Sequence, residues 1–176
     1  VGASKKIGFG GALAYNSIEN TITAYIDDSQ LETSGSLSVQ ALSLGKIKTI
    51  SAGAAGAQKL SLAGAVSLNF IESTIDAHIS NSPYIYATGT ISVLAADSAT
   101  ISALSGSVAG AGKVAIGASV GYNDIANTTT AYIVSSDVNS TAGNVLIGAS
   151  ESTDVTSIAA GGEGAGKVAI GGAVTI

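Results

Sequence analysis

The sequence predicts an all-β fold, a parallel β-solenoid built from repeats of about 54 residues with almost no helix. Three observations favour it. One block of text recurs at a fixed spacing, residues alternate with a period of two along each block, and no segment has a helical period of 3.6. The alternative architecture is an array of antiparallel hairpins, in which NSIEN, NFIES and NDIAN would be the turns.

The repeat begins at a lysine that follows a turn of small residues. The lysines, separated by 53, 54 and 54 residues, are Lys6, Lys59, Lys113 and Lys167. A single array over 1–176 then contains units 6–58, 59–112 and 113–166 and a partial unit 167–176. Because neither end coincides with a unit boundary, we expect the chain to be an excerpt of a longer solenoid.

The first strand of each unit follows the lysine and alternates for nine or ten residues. In the third unit Val114 and Ile116 share one face, whereas Ala115 and Gly117 share the other. One face is bulky and apolar, and the other is almost entirely Gly, Ala and Ser. The small face could allow another backbone layer to approach closely, or it could be a flat face in solvent.

A second strand with a polar outer face follows in each unit. Its polar positions form a candidate exposed ladder, consisting of Thr21, Thr23, Tyr25, Thr74, Asp76, His78, Thr128, Thr130 and Tyr132. Between the two strands the recurring amides of Asn16, Asn69 and Asn123 are interpreted as turn residues that bond the local backbone.

Shorter alternating runs over 37–41, 91–95 and 145–149 complete each unit. They are introduced by the recurring glycines Gly35, Gly89 and Gly143, each 24 residues before the next repeat lysine. A unit of this length could form three coils of about 18 residues or two of about 27, at the usual rise of a strand.

Composition excludes several classes of function. The formal net charge is −5 and the chain has no arginine, which argues against nucleic-acid binding. The absence of cysteine excludes disulfides and thiol chemistry. No apolar run reaches the length of a transmembrane helix.

No motif in the sequence predicts an enzyme, a cofactor or a metal. The stretch from Gly161 to Lys167 has the glycines and lysine of a phosphate-binding loop, but Val168 stands where that loop needs a hydroxyl. The glycine turns lack the aspartates of calcium-binding solenoids. The lone histidine, His78, occupies a position that is tyrosine in the other units, so a surface position is the interpretation.

The phrases GAGKVAIGASVGYNDIANTTTAYI and GEGAGKVAIGGAVTI resemble repeats of large bacterial exoproteins of the filamentous-haemagglutinin type, especially leukotoxin-like filamentous adhesins. The resemblance covers essentially the whole chain. It implies a right-handed parallel β-helix, export through an outer-membrane partner, and a place at the cell surface or in the medium.

The expected function is therefore a structural and adhesive repeat module, a β-solenoid shaft or extracellular filament. Self-association with neighbouring repeats or identical chains and a host-cell or cell–cell receptor are the expected partners. One alternative is a flat threonine-rich face that binds glycan or ice. Another is a segment of a secreted leukotoxin.

Overall fold

The computed structural model describes residues 2–176, with side chains from Lys5 onward, and over this range it contains only strands, turns and bends. The strands are β1 Gly2–Ser4, β2 Ile7–Asp27, β3 Gln30–Thr33, β4 Leu37–Ala57, β5 Leu60–Ser80, β6 Tyr84–Ala87, β7 Ile91–Ala111, β8 Val114–Val134, β9 Val138–Ser140, β10 Val145–Ala165 and β11 Val168–Thr175. Every strand pairing is parallel. The predicted parallel β-solenoid is confirmed.

The strands form three sheets, which we call front, back and side. The front sheet has the order β11-β8-β5-β2, the back sheet the order β1-β4-β7-β10, and the side sheet the order β3-β6-β9. Each coil passes along a front strand of 21 residues, a short side strand and a back strand of 21 residues. A strand of this length spans about 70 Å, so the cross-section is long and flat.

Each repeat forms one coil. In the front sheet Ile7 pairs with Leu60, Leu60 with Val114 and Val114 with Val168. The expectation of two or three coils per repeat is wrong, because the two alternating segments after each lysine are one continuous strand. The solenoid therefore rises only about 4.8 Å, the spacing of neighbouring strands, for each repeat.

The hairpin alternative is also wrong. The segments NSIEN, NFIES and NDIAN lie in the middle of β2, β5 and β8, where the inward–outward alternation continues without interruption. The asparagines in them are strand residues and not turn residues. Their side chains bond to neighbouring coils, as described below, instead of competing for the local backbone.

Two kinds of turn close the coil. At the edge that we call the lysine edge, two residues connect the back strand to the next front strand, for example Gly112-Lys113 between β7 and β8. At the opposite side the residue after each complete front strand has a positive φ, namely Asp28 at 45°, Asn81 at 50° and Ser135 at 50°. Asp and Asn tolerate this left-handed conformation better than most residues, which explains their presence at this corner.

The interior changes along the coil. Near the side sheet, front and back sheets enclose large side chains such as Ile75, Ile79, Ile91 and Val93. Near the lysine edge the enclosed side chains are alanines such as Ala63, Ala109 and Ala115. There a Cβ added at Gly10 would overlap the carbonyl of Ala54 in the opposite sheet. The cross-section is consequently a wedge that is thin at the lysine edge.

This wedge decides between the two interpretations of the first strand. Its small face points inward and lets the two backbones approach closely, whereas the bulky face points outward. Ala115 and Ser119 are buried, but Phe9 and Leu13 are 68% and 73% exposed. The alanines and isoleucines form the core, and the large residues that follow each lysine lie outside it.

Candidate functional site

The repeat lysines lie in one row along the lysine edge. Lys6, Lys59, Lys113 and Lys167 are exposed, and the ladder continues through their backbones. Leu60 N–H, for example, donates to the carbonyl of Lys6 (3.1 Å), and Val114 N–H donates to that of Lys59 (2.9 Å). The row is a charged border on the thin side of the wedge.

The recurring asparagines form a ladder inside the solenoid. Asn16 Nδ2 donates to Asn69 Oδ1, and Asn69 Nδ2 donates to Asn123 Oδ1, both at 2.9 Å. Thr49 Oγ1 of the back sheet also donates to Asn69 Oδ1 (2.7 Å). Asn69 is fully buried, so these bonds replace the hydrogen bonds to water that its amide loses on folding. The ladder joins successive coils and has a structural role.

The recurring glycines lie at the corner between the side and back sheets. A Cβ on Gly89 would lie 2.5 Å from Ser36 Oγ, and one on Gly143 would lie 2.5 Å from the backbone nitrogen of Thr90. Neither residue has a positive φ. These glycines are required because the coils stack closely at the corner, and Gly35 has the same place in the first coil.

The candidate exposed ladder lies on the outer face of the front sheet, near the side sheet. Its members are aligned as Thr21, Thr74 and Thr128, then Thr23, Asp76 and Thr130, then Tyr25, His78 and Tyr132. The rings of the last row stack on one another, with centroids 5.4 and 4.8 Å apart. All nine side chains are exposed or half-buried.

One polar cluster stands out within this ladder. Asp76 contacts His78 Nδ1 through Oδ1, and its Oδ2 accepts a hydrogen bond from Thr130 Oγ1 (2.7 Å). The Asp–His pair lies in the second coil alone, because the equivalent residues in the neighbouring coils are Thr and Tyr. The ring faces of His78 are occupied by the two tyrosines, so its chemistry is confined to its edge.

A second polar group lies inside, between two apolar clusters. Asp97 is 4% exposed, and its Oδ2 accepts a hydrogen bond from Asn127 Nδ2. Among the described residues no partner bonds to Asp97 Oδ1 or to the hydroxyl of its neighbour Ser43. A carboxylate enclosed in this way has no open path to a substrate.

A broad apolar surface was not predicted from the sequence. It is the outer face of the front sheet next to the lysine edge, which we call the apolar outer face. Its residues, in aligned rows, are Ile7, Leu60, Val114 and Val168; Phe9, Leu62, Ile116 and Ile170; Gly11, Gly64, Ala118 and Gly172; Leu13, Val66, Val120 and Val174; and Tyr15, Leu68 and Tyr122. The signal in the sequence was the bulky alternating face, which resembles a core face.

Other features of the described residues give no catalytic or metal centre. No cluster of three or more His, Cys, Asp or Glu side chains that could hold a metal ion occurs in 2–176. In the same range no helix is long and apolar enough to span a membrane. The depression between Lys48, Ile50, Leu104 and Ile158 on the outside of the back sheet is open and shallow.

Comparison of the chain with protein-family models, with curated proteins and with solved structures gives no match.

Proposed function

We propose that the chain is a structural and adhesive repeat module of a large bacterial exoprotein, secreted or held at the cell surface, and that it has no catalytic role. The observation that supports this proposal is that the residues recurring in every repeat lie where successive coils stack. The asparagines join successive coils, the glycines permit close stacking, and the lysines line an edge. All three repeated positions serve the stack itself.

The one-coil repeat gives the module a definite shape. At about 4.8 Å per coil and about 70 Å across, a thousand residues of such repeats would form a ribbon about 90 Å long. The module is therefore a broad, stiff ribbon and not a thin rod. At its two ends β2 and β10 each have a paired neighbour on one side only, and such edges favour addition of further strands.

Immunogold labelling of the producing bacterium tests the proposal. Antibodies raised against the folded chain should label intact, unpermeabilised cells or material in the medium, and an antibody against a cytosolic protein should not. Label that appears only after permeabilisation would contradict a role outside the cell.

A second candidate function is favoured by the candidate exposed ladder. Its rows of Thr hydroxyls, spaced by the strand repeat, offer a regular array of donors and acceptors to a glycan or to ice. Asp76 interrupts the array in the second coil. Binding on a glycan array, or thermal hysteresis of freezing, that is lost in the variant Thr74→Val with Thr128→Val would support this function over a purely structural one.

A further inference from the structure

The apolar outer face is large enough to serve as a contact surface. It extends from position 7 to position 15 on strands of four successive coils. At about 3.3 Å per residue and about 4.8 Å between strands, it measures about 30 by 19 Å, or roughly 600 Å². Two copies that meet over positions 7 to 13 would together bury about 900 Å², within the range of weak, transient interfaces.

The apolar outer face has alternating rows of large and small side chains. The row of Phe9, Leu62, Ile116 and Ile170 forms a ridge, and the next row, Gly11, Gly64, Ala118 and Gly172, forms a groove. The fold does not require these glycines. An added Cβ would lie 4.0 Å from its nearest neighbour at Gly11, 3.8 Å at Gly64, and would have no neighbour within 4 Å at Gly172.

Glycine inside a strand weakens the strand. This glycine row also lies between two rows of large apolar residues, those of Phe9 and Leu13, so it forms a groove that an apolar ridge of a partner can fill. A ridge beside a groove of equal length is complementary to itself. Binding to lipid would not require a groove, because acyl chains are fluid and adapt to a surface of any shape.

We propose that the apolar outer face binds the same face of a second copy of this chain. A two-fold axis that runs along the solenoid between ridge and groove places the ridge of each copy in the groove of the other. The strands of the two copies are then antiparallel across the interface, and the two solenoids run side by side in the same direction. Longer arrays would extend the same contact coil by coil.

The charged borders of the face fit this arrangement. The lysine edge, with Lys59 and Lys113, bounds it on one side, and Glu72 and Asp124 lie beyond it on the other. The two-fold axis places Lys113 of one copy opposite Gly121 of its partner, about 10 Å along the strand from Asp124, so the positive edge of each copy lies on the acidic side of the other. The inference builds on the proposed structural function, but its failure would leave that function intact, since a single solenoid can also form a ribbon.

Sedimentation analysis of the whole chain and two triple variants tests the proposal. Gly11→Val, Gly64→Val and Gly172→Val together fill the groove. The matched control is Gly56→Val, Gly110→Val and Gly164→Val, three strand glycines whose added Cβ would have no neighbour within 4 Å and which point outward from the back sheet. Circular dichroism and thermal unfolding establish that both variants are folded.

We expect the native chain and the control to form closed dimers. The groove variant should be a monomer or a dimer weakened by about tenfold or more, with an unfolding temperature no lower than that of the control. A native chain that is monomeric at high concentration would overturn the proposal, and so would equal association of both variants, which would indicate contact through the ends.

Vesicle flotation tests whether lipid, instead of a second copy of the chain, covers the apolar outer face. If the native chain and the groove variant both bind vesicles of phosphatidylcholine and phosphatidylglycerol, and neither dimerises, the face is a lipid-binding surface and the proposal is wrong. Absence of vesicle binding together with the expected dimer would support it. Surface labelling of cells is independent of both results.

Discussion

The two halves of each front strand differ in which side chains they enclose, although both alternate with the same period. In the half of β5 next to the lysine edge, Leu62 points outward and Ala63 inward. In the half next to the side sheet, Ile75 points inward and Thr74 outward. The gap between the front and back sheets causes the difference, because only small residues fit where the wedge is thin.

This comparison shows that alternation identifies a strand but does not identify its buried face. In the wide half the usual rule holds, and burial of isoleucine stabilises the coil. In the thin half large apolar residues remain outside, so they are not buried within the chain. The two halves therefore respond differently to the same kinds of substitution.

The largest effect is expected from shortening an isoleucine inside the wide half. Ile75 is 0% exposed, and Ile75→Ala should lower the free energy of unfolding by about 2–5 kcal/mol through lost burial and a residual cavity. Ile50 is 76% exposed on the outer face of the back sheet, and Ile50→Ala should change it by less than about 0.5 kcal/mol. Urea unfolding measures both, and equal losses would contradict the assignment of faces.

The next largest effect is expected from enlarging a residue inside the thin half. Ala115 is 0% exposed between close backbones, and Ala115→Leu should cost about 3 kcal/mol because the two-residue turn between β7 and β8 holds the front and back strands close together there. Ala126 points outward from the same strand, so Ala126→Leu should be nearly neutral. A neutral Ala115→Leu in the same unfolding measurement would mean that the thin half is not closely packed.

A smaller loss is expected from removing one member of the asparagine ladder, which lies between the two halves. Asn69→Ala removes the hydrogen bonds that Asn16, Thr49 and Asn123 make to Asn69, and Asn16 then keeps only its bond to Thr49 Oγ1. Unsatisfied groups of this kind should cost about 2 kcal/mol. Asn139 is exposed on the side sheet, and Asn139→Ala serves as the control. Protection of β5 amides from hydrogen exchange should fall in the first variant only.

The smallest effect concerns pH at the end of the wide half. Hydrogen bonds from Ser80 Oγ and Asn81 Nδ2 hold the pKa of Asp27 below its ordinary value of 3.8. A carboxyl with a lowered pKa in the folded state stabilises the fold above its ordinary pKa, and this contribution disappears as the pH falls through the lowered value. The difference in urea midpoint between the native chain and Asp27→Asn should therefore be constant near neutral pH and vanish in acid. A difference that persists unchanged in acid would contradict this.

Much of the fold could be predicted from the sequence, because in-register stacking requires equivalent residues to recur. The spacing of the repeat lysines gives the strand pairing directly, and the outward position of the Thr-rich rows follows from their alternation. The number of coils per repeat could not be predicted, because asparagine is common in turns. Only the structure shows that these amides bond to the equivalent amides of neighbouring coils.

The apolar outer face could not be identified for a related physical reason. Leu62 and Val66 have the pattern of core residues, and their exposure depends on the back sheet, where Gly53 lies so close to the backbone of Gly64 that only small residues fit between the sheets. That information lies in another part of the repeat. Conversely, the glycines of the groove look like ordinary turn or packing glycines until the space around each is known.

Spin labels placed two repeats apart test the central claim, that each repeat forms one coil. The chain has no cysteine, so Thr21→Cys together with Thr128→Cys labels two positions of one outward row. One coil per repeat predicts backbones about 10 Å apart, which gives strong dipolar broadening in the electron paramagnetic resonance spectrum. A separation of about 20–30 Å, the value for two or three coils per repeat at the same strand spacing, would contradict the structure.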